Sequence, residues 1–113
     1  MQNPRNIDVV VAGYSYGLPG FEVTSDGIID TEWRFPLEFC RGDKNDESKK
    51  RQAGVFVESL LEAVVHRLKT VNVGDLASKE TAMAITKVEE AILWLGKRSE
   101  DRRIRGVEGT YSK

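Results

Sequence analysis

The hydrophobic pattern of this chain changes period once, near residue 47. Before that point, apolar residues come in β-branched runs or alternate with polar ones. Ile7-Asp8-Val9-Val10-Val11-Ala12 reads as a strand. The stretch Gly13-Tyr14-Ser15-Tyr16-Gly17-Leu18-Pro19-Gly20 is expected to end it in a turn, because glycine and proline punctuate regular structure. Phe21 to Thr24 and Ile28 to Arg34 then flank Ser25-Asp26-Gly27. A two-residue Asp-Gly turn would pair Val23 with Asp30 and mix the faces. A three-residue loop with Gly27 left-handed pairs Val23 with Ile29 and Phe21 with Thr31, and is the preferred register. Phe35 to Cys40 suits one more short strand, which Pro36 confines to an edge or an extended connection. Arg41 to Asp46 is polar and aperiodic and reads as a connection; its Arg-Gly-Asp triplet is taken as a charged turn.

From about Glu47 the spacing becomes helical. Val57, Leu60, Leu61, Val64, Leu68 and Val71 form one stripe, and Asn72 to Asp75 breaks it. Ser78 is placed to cap a second helix whose stripe is Ile85, Val88, Ile92 and Leu95, with Ala84 and Ala91 on its flank. Gly106 and Gly109 mark its end. The expected fold is α+β: a small N-terminal antiparallel sheet over about residues 7–40, then an antiparallel two-helix hairpin over about 47–105 with a basic tail to 113, in a single domain of residues 1–113. The helices are expected over about 47–70 and 78–103. Leu93 and Trp94 lie beside the second stripe. So much apolar surface on so small a fold predicts a homo-oligomer, at least a dimer.

The chain has 113 residues and a formal net charge of −1. That balance argues against a DNA or RNA polymer as partner. A lone cysteine, Cys40, fits a reducing compartment. No apolar run approaches the roughly 20 residues needed to span a bilayer. No membrane partner and a cytoplasmic location are therefore expected.

Candidate chemistry is sparse. One histidine, His66, with Glu62 at helical spacing supplies at most two metal ligands, and Cys40 with His66 lacks any nucleophile motif. The glycines around Tyr14 match neither phosphate-loop pattern, and Glu89-Glu90 diverge on a helix. No catalytic residue, metal or cofactor is assigned. The tail stands apart. Lys97, Arg98, Arg102, Arg103, Arg105 and Lys113 outweigh Glu100, Asp101 and Glu108, so this segment is net +3 while the rest is net −4. Arginine forks suit phosphate, Gly106 and Gly109 expose backbone N–H groups, and Trp94 or Tyr111 offers a face for a base. Arg98, Arg102 and Arg105 are the candidates; Arg98 and Arg102 lie one turn apart, so both can face one pocket, whereas Arg103 points elsewhere. Phe56 is a reserve platform; Lys87 or the loop at Tyr14 and Tyr16 is a reserve phosphate holder. On the residues alone, an ordinary basic helix end that complements the helix dipole is an equal reading.

The run Ser78 to Gly96, with Ala84-Ile85-Thr86-Lys87-Val88-Glu89-Glu90-Ala91 at its centre, resembles the second helix of a phage hairpin family, and Arg105 to Thr110 resembles that family's tail. The family contains the second-type anti-CBASS sponge and a Thoeris anti-defence protein with an added N-terminal β-rich half. The resemblance implies a viral immune-evasion protein, a sponge that sequesters nucleotide second messengers of bacterial immunity without cleaving them. The implied ligand is glycocyclic ADP-ribose, with cyclic di- or trinucleotides possible at separate sites. It also implies dimers and hexamers with pockets between protomers. The ligand-binding candidates, which come from the chemistry of the tail and not from the resemblance, are Trp94, Arg98, Arg102, Arg105, Gly106, Gly109, Thr110 and Tyr111. The competing readings are a non-catalytic accessory protein whose hairpin docks a partner, and a small nucleotide hydrolase.

Overall fold

The computed structural model describes residues 6–42, 45, 51–106 and 108–110. They fall into two compact units. One is the chain up to Arg41 together with the segment ending at Gly54; the other holds the chain from Val55 onward.

The first unit is a three-stranded antiparallel sheet in the order β1 (Asp8–Val11), β2 (Ser15–Thr24), β3 (Gly27–Glu38). The expected turn over residues 13–20 contracts to Ala12-Gly13-Tyr14, with Gly13 left-handed at φ 83 and Tyr14 N–H donating to the Val11 carbonyl at 2.9 Å. Ser15 to Gly20 belongs to β2 in spite of Pro19. The pairing of β1 reaches only Gly17, so at Pro19 the strand has β3 alone beside it and one N–H fewer is required. Pro36 likewise lies on β3, an edge strand, as its missing donor demands.

The hairpin register differs from the expected one. Thr24 pairs with Gly27, Val23 with Ile28 and Phe21 with Asp30, around a two-residue Ser25-Asp26 turn. Thr24 closes that turn: its Oγ1 accepts the Asp26 N–H at 3.2 Å and donates to the Gly27 carbonyl at 3.1 Å. The turn is not the Asp26-Gly27 turn that would pair Val23 with Asp30, and a bulge between Pro19 and Phe21 shifts the register further along the hairpin. There Glu32 is left-handed at φ 65, and its N–H is held by Asp30 Oδ1 at 2.7 Å. Thr31 Oγ1 accepts the Trp33 N–H and donates to the Gly20 carbonyl at 2.9 Å. Gly20 itself lies under the Phe35 ring, where a Cβ would come within 2.3 Å of Cε2.

The first helix also starts later than expected. Of the stretch from Glu47, residues 47–50 lie outside the described residues, and the segment up to Gly54 is tied to the sheet. Arg41 and Gln52 exchange backbone hydrogen bonds at 2.9 Å, and Gln52 Nε2 donates to Ser15 Oγ and to the Phe39 carbonyl, each at 3.3 Å. These bonds take the backbone groups a helix would need. α1 runs Val57–Val71, a short 3₁₀ turn covers Gly74–Leu76, and α2 runs Lys79–Ile104. Ser78 caps α2 as expected: its Oγ accepts the Thr81 N–H at 3.0 Å, while its own N–H donates to Asn72 Oδ1 at 2.8 Å.

The helices are antiparallel. Lys69 pairs with Glu89 at 3.1 Å, and the earlier Val65 lines one groove with the later Ile92. On α2 the residues turned inward are Thr81, Ile85, Val88, Ile92, Leu95, Ser99 and Arg102, which step alternately by four and three. That is the seam of a helix pair with a 3.5-residue repeat. The expected apolar stripe of α2 lies on it. On α1 the seam is Leu61, Val65 and Leu68, and Val65 is buried while the expected Val57 and Val64 are exposed. Two adjacent valines cannot be ranked from α1 alone, because the face chosen is the one that α2 meets.

Two stability outcomes follow from these contacts. Ser78→Ala should lower the unfolding free energy by about 1 kcal/mol and Ser78→Asp should largely keep it, read by urea denaturation. Gly54→Ala would place a Cβ 2.5 Å from the Glu38 carbonyl oxygen and the Phe39 carbonyl carbon. Since backbone cannot rotate away, it should destabilise the sheet by roughly 1–3 kcal/mol.

The basic end of the second helix

The last three turns of α2 carry Trp94, Arg98 and Arg102, and the other candidate ligand-binding residues follow from the C-cap onward. Trp94 is 68% exposed, and Lys97 Nζ stands over its ring at 5.3 Å from the centroid. Arg98 follows one turn later. It is exposed, and none of the described residues pairs with it. Arg105, at the C-cap, reaches back to Asp101 with Nη1 to Oδ2 at 3.2 Å. Arg102 is buried, at 8% exposure, and donates from Nη2 to the Thr110 carbonyl. Gly106 and Gly109 are both left-handed, at φ 74 and 77. Gly106 closes the helix by donating its N–H to the Arg103 carbonyl at 3.1 Å. Tyr111 lies outside the described residues, as does Lys113.

So Arg98 and Arg102, though one turn apart, do not share an environment. Arg102 occupies the last seam position, where α2 has run past its partner. Counting back from the Lys69–Glu89 pair, Val57 at the start of α1 stands opposite about residue 101. The expectation that Arg103 points elsewhere has a cause: it is paired with Glu100, through Nε to Oε2 at 3.2 Å and Nη2 to Oε1. That hydrogen bond, with the attraction of the two charges, holds the Glu100 carboxyl below the usual carboxylate range and pushes the Arg103 guanidinium up.

The other candidates serve local structure. Tyr14 is covered by the Arg41 guanidinium at 4.4 Å, and the Tyr16 hydroxyl accepts the Gly13 N–H at 2.9 Å. Tyr16 and Phe39 meet edge to face at 5.9 Å. Lys87 is 3.8 Å from Glu90. Phe56 is exposed and precedes α1. Cys40 belongs to the sheet unit and His66 to the helical one. Among the described residues no three His, Cys, Asp or Glu side chains cluster as metal ligands, and no helix is long and apolar enough to cross a membrane.

A groove of about 520 Å³ runs between the helices, lined by Glu62, Val65, Glu89, Ile92 and Leu93. Its floor is apolar, and its lining holds two carboxylates, of which Glu89 is paired with Lys69, and no cation. A phosphate-bearing ligand is therefore better served by the basic end of α2, where the arginines must outweigh the negative end of the helix dipole. The sequence did not flag Arg102 as buried; the signal that could have done so is its place on the alternating four-three seam, past the last apolar residue.

The Glu100–Arg103 pair makes a direct test of this electrostatic picture. Its stabilising effect is present above the ordinary carboxylate range and is lost as pH falls through the lowered value. In Arg103→Gln, the Glu100 carboxyl followed by NMR should titrate at a higher pH than in the parent, back toward its ordinary range.

A family model described as the Acb2/Tad1 hairpin domain matches residues 41–100. The chain is also similar to a protein of Bacillus phage SBSphiJ7 named Thoeris anti-defense 1. The two are 48% identical over 60 residues, which are 53% of this chain and 42% of that protein. The chain thus matches less than half the length of that relative.

Proposed function

The chain belongs to the Acb2/Tad1 hairpin family, and we propose that it is a phage immune-evasion protein that binds and sequesters a cyclic nucleotide second messenger of the host without cleaving it. The observation that carries this reading is the 48% identity to a protein named for Thoeris anti-defence. The ligand is of the glycocyclic ADP-ribose type, and cyclic oligonucleotides are further candidates. The site of action is the host cytoplasm, and the binding form is a homo-oligomer, a dimer or a hexamer.

The basic end of α2 supports the reading in chemical terms. A diphosphate removed from water needs paired charge. Arg98 is exposed without a described partner, and Arg105 is held only by an exposed ion pair with Asp101. Such surface pairs are worth roughly 0–1 kcal/mol, so a phosphate can displace Asp101 at little cost. Trp94 offers an open aromatic face for adenine after a shift of the Lys97 stem. Gly106, Gly109 and Thr110 supply backbone groups nearby, and Tyr111 a second ring.

The apolar groove at Val65, Ile92 and Leu93 favours a second reading, a non-catalytic accessory protein whose hairpin docks a protein partner. One experiment separates these from an enzyme. The protein is incubated with glycocyclic ADP-ribose and a panel of cyclic di- and trinucleotides, filtered, and heated. The proposed function predicts depletion of one ligand from the filtrate and its recovery intact on heating. A cleaved product indicates a hydrolase, and no depletion indicates the docking protein. By calorimetry, Arg98→Ala and Arg105→Ala should each bind about tenfold more weakly or worse, because charge-assisted hydrogen bonds are worth about 1.5–3 kcal/mol, while Arg103→Ala should bind like the parent.

A further inference from the structure

Arg102 differs from every other described cation at this end of the molecule. It is the one described charged residue that is buried, and it lies on the inward seam of α2, with Ser99 and Leu95 before it. Its guanidinium is engaged by the Thr110 carbonyl. Thr110 is half-buried, whereas Gly106, Glu108 and Gly109 are exposed. The two left-handed glycines at φ 74 and 77 turn the chain between the helix end and that carbonyl. A bond closing a turn of eight residues back onto a helix is not a feature of an ordinary basic helix end, whose cations lie in solvent beside the dipole.

We propose that Arg102 is a positioning residue: it straps the tail back against the end of α2, and so sets where Gly106, Gly109 and Thr110 meet a ligand held by Arg98 and Arg105. This rests on the nucleotide-binding reading above. The division of roles follows from what each arginine would give up. Arg98 surrenders nothing, and Arg105 surrenders a solvent-screened pair with Asp101. Arg102 would have to leave a buried, charge-assisted hydrogen bond to the Thr110 carbonyl, which is the costlier exchange. A guanidinium has five N–H donors in a rigid fork, so it holds a carbonyl while filling a seam position with its stem. Lysine has neither the plane nor the reach to do both.

The test uses the full chain and two readouts. The first is amide hydrogen exchange across residues 104–110, which needs no ligand. The second is the affinity for glycocyclic ADP-ribose at several salt concentrations. In Arg102→Gln, exchange at Gly109 and Thr110 should rise about tenfold or more, as for a segment released locally. Binding should weaken about tenfold, with the same dependence on salt as the parent, because no charge facing the ligand has been lost. Arg98→Ala should do the opposite: unchanged exchange, and a shallower salt dependence. Gly109→Ala, which forces an L side chain into a left-handed position, should reproduce the Arg102→Gln pattern while leaving Arg102 in place. Arg102→Lys should fail to restore the parent.

Unchanged exchange in Arg102→Gln overturns the strap. A shallower salt dependence in that variant overturns it too, since Arg102 then faces the phosphates itself. Raised exchange with parental affinity reduces Arg102 to a structural contact and overturns the positioning role. If the parent chain binds none of the nucleotides, the functional reading is lost, and the exchange data still decide whether the strap exists.

Discussion

Burial of apolar surface is the constraint that the rest of this molecule answers to. Among the described residues only Val65 and Ile85 are buried aliphatics. Each compact unit by itself leaves large side chains in water: Val23 and Trp33 on the sheet, Leu76, Leu93 and Trp94 on the helical unit. At about 25 cal/mol per Å² of apolar surface, a fold that covers so little of it has a narrow margin against chain entropy. Polar bonds do part of the work. Ser78 and Asn72 fix the turn between the helices, and Gln52 and Ser15 pin the segment that follows the sheet. None of these replaces a core. Closed association with further copies is the economical way for a chain of this size to hide such surface.

The same constraint shapes the end of α2. Where α1 lies beside it, the seam is apolar and the outer face carries mixed charge. Past the start of α1 no described helix lies beside α2 to bury an aliphatic residue, and the seam position is taken by Arg102, engaged by Thr110. Arg98, which has no partner among the described residues, and the exposed Trp94 lie off that seam. The last turns of α2 thus carry exposed charge and an exposed ring, and one arginine that is buried.

Much of this was legible in the sequence, and what was not has physical reasons. The change of period, the sheet-then-hairpin order, the Ser78 cap and the α2 stripe were all readable, because each rests on local chemistry or a strong repeat. The hairpin register was not. The Ser25-Asp26 turn closed by Thr24 sets a register that changes again at a bulge further along the hairpin, where Asp30 and Thr31 hold a left-handed Glu32. The start of α1 was misjudged because Gln52 is captured by long-range bonds that no local pattern announces. Val65 over Val64 was settled by the partner helix. The pairing of Arg103 with Glu100 was implicit in their spacing, but the burial of Arg102 needed the whole seam.

If apolar surface left open on both units governs this protein, the full chain should not exist alone. Light scattering at micromolar concentration measures that directly. The account predicts a mass that is an integral multiple of the 12.7 kDa chain, at least two copies, in the absence of any ligand. A single species at the mass of one chain, with the fold intact by circular dichroism, would contradict it.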